Sequence, residues 1–94
     1  MVTHVVFWKL KEENKGENAL QIKQRIESLV GVIPGLISAQ VGMNINGGEY
    51  DLALVSTLAS KDALEAYDAH PAHQAVRQFV RSVVDGRAAI DYLN

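Results

Sequence analysis

The first ten residues alternate with a period of two. Val2, His4, Val6, Trp8 and Leu10 share one face of a predicted strand, and Thr3, Val5, Phe7 and Lys9 share the other. The charged stretch from Lys11 to Glu17 contains Gly16 and predicts a loop. The period then becomes helical: Ala19, Ile22, Ile26, Leu29, Val30 and Ile33 recur at three- and four-residue steps, with Asn18 and Gln21 as a capping pair and Pro34-Gly35 as the stop. Leu36 to Ile45 predicts a second strand, with Ile37, Ala39, Val41, Met43 and Ile45 on one face. Asn46-Gly47-Gly48 is a turn signal, and Tyr50 to Leu58 returns as a third strand in which Tyr50, Leu52, Leu54 and Leu58 share a face. Ser60 and Asp62 open another helix, whose inner face carries Ala63, Leu64, Ala66 and Tyr67. Pro71 breaks it, since the residue before a proline is pushed out of the helical region. A further helix runs to about Asp85 with Val76, Phe79, Val80 and Val83 inside, Gly86 ends it, and Arg87 to Leu93 forms the last strand.

That order is β-α-β-β-α-β, a ferredoxin-like α+β arrangement of four antiparallel strands with helices on one face. Nothing along residues 1–94 marks a linker, a repeat or a second domain. Two helical layers cannot cover both faces of one sheet. The strands are apolar on both, with Val5, Phe7, Val55 and Leu93 among the side chains left over, where a solvated face would alternate with polar residues. A patch of that kind marks a partner site. Two copies packed sheet to sheet as a homodimer, a dimeric α+β barrel, would bury it.

Composition narrows the function classes. Apolar residues are 48% of the chain but aromatic ones only 6%, so the core is aliphatic. With a formal charge of −2 and a pI near 5.8, the chain lacks the basic face of a nucleic-acid binder. There is no cysteine, and with it no thiolate chemistry. The N-terminal residues lack a basic segment and a small-residue cleavage site, and no apolar run approaches the ~20 residues of a membrane span. The expected location is the cytoplasm, with no membrane partner.

Chemistry can come from three histidines, His4, His70 and His73, and from Tyr67 beside the last two. Pro71 suits the first position of a helix, which places His73 in its first turn. The positive end of the helix dipole disfavours protonation there, so His73 should be neutral at pH 7, the form a general base requires. Tyr67 lies one turn before the break, and His4 arrives from the first strand on the face of Val6 and Trp8. The expected site is therefore His73, Tyr67 and His4 in an aliphatic pocket, with Trp8, Val6, Leu52 and His70 as ligand contacts. The competing reading makes the same side chains structural, satisfying backbone groups at a helix break. A metal site is disfavoured, because a proline interrupts the His70–His73 spacing and no carboxylate motif accompanies it. Arg77, Arg81 and Asp85 have the spacing of one solvated helix face. The third strand lacks the stacking aromatics and basic residue of an RNA-recognition domain.

Several segments resemble the stress-responsive A/B barrel (Dabb) family: His4-Val-Val, Ile33-Pro34-Gly35, Val41-Gly42 with Asn44, and Tyr50-Asp51-Leu52-Ala53-Leu54. Ala63-Leu64-Glu65-Ala66-Tyr67 running into His70-Pro71-Ala72-His73, and Asp91-Tyr92, complete the set in order along the chain. The resemblance implies a ferredoxin-like monomer in a dimeric α+β barrel. In one branch, the plant polyketide cyclases, it implies a cofactor-free intramolecular aldol condensation. There a Tyr and a His resembling Tyr67 and His73 act as the acid–base pair, with a His resembling His4 nearby. The chain departs from that branch in carrying Leu52 where the cyclase pattern has a further histidine. Three readings follow. The first is a pocket for an apolar, carbonyl-containing small molecule, without cofactor. The second is a non-enzymatic, stress-related protein of self-association, and the third resembles the cofactor-free monooxygenases of the same barrel.

Overall fold

In the computed structural model, which describes residues 1–94, the elements are β1 (Val2–Leu10), α1 (Lys15–Glu27), β2 (Leu36–Met43) and β3 (Leu52–Leu58), followed by α2 (Lys61–Ala69), α3 (Pro71–Val83) and β4 (Val84–Leu93). The four strands form one antiparallel sheet in the order β2-β3-β1-β4. This is the ferredoxin-like arrangement, with the second helical segment divided at His70. β1 lies between β3 and β4, so its residues from Val2 to Trp8 are flanked on both sides: His4 by Ser56 and Asp91, Trp8 by Leu52 and Arg87.

Strand periodicity decides which side chains meet the helices. Val6, Trp8, Leu10, Val41, Leu52 and Leu54 pack with Ala19, Ile22 and Ile26 of α1 and Val80 of α3. Leu29, Ile33, Leu36, Leu58 and Tyr67 form a second cluster under α2. The opposite face carries Val5, Phe7, Val55, Ala88, Ile90 and Tyr92 by register. No helix covers it, and Val55 and Ile90 are 46% and 61% exposed. Leu93, expected among those leftover side chains, pairs with Val2 on the helix side and lies at the open end of its strand.

Several boundaries differ from the expected ones, each for a physical reason. α1 starts at Lys15, not at Asn18. Its N-cap is Asn14 in the left-handed conformation (φ 53°), without a side-chain cap, and Asn18 inside the helix donates to the Glu13 carbonyl at 3.3 Å. The helix ends at Glu27, and Gly31, with φ 89°, turns the chain before Ile33. Leu29 and Ile33 are nevertheless buried, while Val30 is exposed. In β2 a register shift between Leu36 and Ser38 makes Ile37 the extra residue of a bulge. Ile37 therefore points outward, and Leu36 shares the inner face with Ala39 and Val41. Met43 and Ile45 are exposed at the sheet edge and beyond it.

The hairpin between β2 and β3 is a longer loop, held by Asn44, whose amide donates to the Gly47 and Tyr50 carbonyls at 2.8 and 2.7 Å. Tyr50 consequently precedes β3, and Ser56, fully buried, completes the inner alternation. On α2, Ala66 is exposed and the inward residue is Tyr67. Gly86 lies inside β4, because α3 passes into the strand at Val84 with no residue between. Gly35 has φ 86°, and a Cβ there would stand 2.8 Å from the Cβ of Ala63, so glycine is what lets the α1–β2 connection pass beneath α2.

Candidate functional site

Between the sheet and α3 lies a cavity of about 230 Å³. β1 gives it His4, Val6 and Trp8, β3 gives Leu54, and α1 gives Ile26. α2 ends in it with Tyr67 and Asp68, and α3 runs along it with His73, Val76, Arg77, Val80 and Arg81. The expected trio of His4, Tyr67 and His73 is thus brought together, as are Val6 and Trp8. Leu52 and His70 do not line the cavity. Leu52 is sealed in the aliphatic core.

His70 is engaged by backbone. Its extended conformation (φ −67°, ψ 133°) makes it both the end of α2 and the N-cap of α3, and its Nδ1 accepts from the Ala72 N–H at 3.1 Å. Pro71 occupies the first turn, where its missing N–H costs nothing. The broken helix therefore delivers two side chains from two helices to one spot. Tyr67 comes from the last turn of α2 and His73 from the first of α3, with their ring centroids 4.1 Å apart. His4 and Tyr67 meet in an edge-type arrangement, with ring centroids 6.3 Å apart.

Tyr67 is 1% exposed, yet its hydroxyl makes no hydrogen bond to protein, and no buried side-chain oxygen in the chain lacks a partner. The hydroxyl must therefore open on the cavity. Burial, with Asp68 adding to it, raises its pKa to about 12, so it stays protonated and acts as a donor. His73 shifts the opposite way. Burial pushes its pKa below the usual histidine value, and the Arg77 charge works in the same direction against the opposing Asp68 carbonyl. The expected neutrality of His73 has burial as its main cause, where sequence reasoning invoked the helix dipole. Its Nδ1–H donates to the Asp68 carbonyl at 3.4 Å, which leaves Nε2 with the lone pair a base uses. His4 Nδ1 is bonded to the Asp91 carboxylate, which orients that ring from the neighbouring strand.

Further charged residues belong to this site. Asp91 and Arg87 enter from β4, and Arg77 and Arg81, expected on a solvated helix face, line the cavity, Arg81 while remaining exposed. No group of three or more His, Asp or Glu side chains is arranged to hold a metal ion. No helix is long and apolar enough to cross a membrane.

Fold and cavity together define a ferredoxin-like α+β domain with a small pocket between sheet and helices, polar at both ends with apolar side chains between them. The chain belongs to the Dabb family, the stress responsive A/B barrel domain, whose family model matches residues 2–94. Among solved structures it is similar to a dimeric, ferredoxin-like protein of unknown function from Bacteroides fragilis, at 28% identity and a TM-score of 0.79 over 97% of this chain and 93% of that one. It is similar also to a protein of Arabidopsis thaliana, at 26% identity and a TM-score of 0.89 over 100% and 95% of the two chains. A hydroxynitrile lyase from Passiflora edulis shares the fold at 17% identity, with a TM-score of 0.87 over 99% and 93%. Among curated proteins, none matches this chain significantly.

Proposed function

We propose that the chain is a cofactor-independent acid–base catalyst acting on a small carbonyl compound, with His73 as the base and Tyr67 as the hydrogen-bond donor to the developing oxyanion. The carrying observation is the Tyr67–His73 pair, ring centroids 4.1 Å apart, in the wall of a cavity that also presents apolar side chains from Val6, Leu54, Val76 and Val80. His73 Nε2 removes a proton from the carbon beside the carbonyl. The electron pair moves to the carbonyl oxygen, which the Tyr67 hydroxyl stabilises. The enolate carbon then attacks a second carbonyl of the same molecule, and the new alkoxide recovers the proton from the imidazolium, so the aldol closure balances without oxidant or reductant. His4, oriented by Asp91, supplies a second polar contact at the same end. Buried groups of this kind are costly to keep for packing alone.

The test is a screen of β-dicarbonyl compounds with the purified protein, comparing wild type with His73→Ala and Tyr67→Phe. General-base and oxyanion contributions of this kind are worth ~10²–10⁴ in rate, so each variant should lose at least about tenfold. Full activity in both variants, on any compound the wild type turns over, overturns the assignment.

The apolar, helix-free sheet face and the dimeric state of the Bacteroides fragilis protein support a homodimer formed through that face. An interface of about 1,600 Å² total buried area is the ordinary size for a stable pair.

A further inference from the structure

Three of the four arginines in the chain, Arg77, Arg81 and Arg87, line the same cavity, although the chain as a whole is acidic. The fourth, Arg25, lies 4.2 Å over the Phe79 ring. Asp68 is the one acid in the cavity wall, and it meets Arg77 at 3.5 Å. No carboxylate lies within ion-pair distance of Arg81 or Arg87. Arg77 and Arg81 are one turn apart on α3, a spacing at which like charges repel. A concave, partly apolar surface with unbalanced guanidinium groups focuses positive potential on whatever enters it.

The positions of these groups along the cavity agree between two elements. A rise of 1.5 Å per residue sets Arg77 about 6 Å and Arg81 about 12 Å beyond His73 on α3. On the sheet, Asp91 and Arg87 flank His4 and Trp8, which are four residues apart and so about 13 Å along the strand. Both walls therefore carry imidazole at one end and arginine at the other, with Val6, Leu54, Val76, Val80 and Trp8 between. The cavity, at about 230 Å³, is smaller than the ~300–1,000 Å³ of drug-sized sites, so the occupant is a small molecule.

We infer that Arg81 and Arg87, with Arg77 beside them, bind the carboxylate of a small oxo acid whose carbonyl end meets Tyr67 and His73. The planar guanidinium fork matches a carboxylate's two oxygens. The inference rests on the proposed acid–base reading for the carbonyl end, and adds the anionic end and the polarity of the ligand.

The experiment follows binding by NMR of the intact protein, with 7-oxooctanoate and its shorter homologues as probes and their methyl esters as controls. The wild type should bind at least one oxo acid about tenfold or more tightly than its ester. Raising the salt concentration should weaken the acid and not the ester. Arg81→Gln and Arg87→Gln, together in one chain, should reduce acid affinity to that of the ester, with the melting temperature unchanged because both residues are exposed. Equal binding of acid and ester by wild type overturns the inference, as does an acid preference that survives in the double variant. Failure of every oxo acid in the series to bind overturns it too. The His73 ring resonances separate this inference from the reading beneath it. An ester that shifts them while the acid binds no tighter removes the anionic end alone. An acid that binds tightly through the arginines without shifting them removes the carbonyl end alone.

Discussion

Removing only the Tyr67 hydroxyl separates a working group from a structural one. The ring is 1% exposed and packs with Leu29, Ile33, Leu36 and Leu58, so it contributes to the core whatever the hydroxyl does. Truncation to Tyr67→Ala should therefore cost about 3–5 kcal/mol, as for other buried aromatics. Tyr67→Phe keeps the ring and its contact with His73. The hydroxyl has no protein partner to lose, so the expected stability change is below about 0.5 kcal/mol. Were it a structural hydrogen bond, its loss would cost about 1 kcal/mol. For a domain of this length that difference is a fall of roughly 4–8 °C in melting temperature. Circular dichroism melts of both proteins at equal protomer concentration resolve it, since association makes melting concentration-dependent. A melting temperature within about 3 °C of wild type, with the tenfold loss in rate described above, fits the donor role. A fall of about 4–8 °C with binding and turnover intact refutes the reasoning and makes the hydroxyl structural.

Three more outcomes are expected. Wild type should scatter light as twice 10.3 kDa at micromolar concentration, and Val55→Asp or Ile90→Asp, each placing a charge on the helix-free face, should give the single mass; a dimer that tolerates both would put the interface elsewhere. Gly35→Ala should cost roughly 2–4 kcal/mol, combining a left-handed alanine with a Cβ 2.8 Å from that of Ala63, and Ala63→Gly in the same chain should recover the steric part in urea unfolding. His73 has a folded pKa below its unfolded value of about 6.5, so the unfolded chain binds the proton more readily: stability is full above about pH 6.5 and falls as pH drops towards the folded pKa. Urea midpoints between pH 7.5 and 5 should show that slope in wild type and lose it in His73→Gln.

What the sequence made legible follows from the range of each interaction. Element order, the break at Pro71 and the inward placement of Tyr67 rest on contacts a few residues apart, and periodicity reports those directly. The convergence of His4 with Tyr67 and His73 was legible because the face of β1 that meets the helices also carries Val6 and Trp8. Asp91 was not, since β1 and β4 are the two ends of the chain and no turn announces their register. The bulge at Ile37 was hidden for a related reason: one extra residue shifts the phase of β2 without changing its composition. His70 was expected among the ligand contacts, whereas the start of α3 claims its ring as a cap, as the competing structural reading of the helix break has it. Arg77 and Arg81 read as a solvated face because i, i+4 charges usually are one; the cavity they line exists only once α3 lies over the sheet, which no local pattern reports.

The register of β4 against β1 has an evolutionary consequence. From Val84 onward β4 sends Arg87, Ala89 and Asp91 towards the helices and Ala88, Ile90 and Tyr92 towards the uncovered face. The register already skips Asp85 opposite Lys9 and Leu10, but beyond it one amino acid inserted between Gly86 and Arg87 would exchange the two sets. The pocket would lose the partner of His4 and gain a tyrosine, and the outer face would acquire an arginine and an aspartate. The side chains on the cavity side and those on the uncovered face are thus coupled, free to vary by substitution at each position but not by insertion or deletion between them.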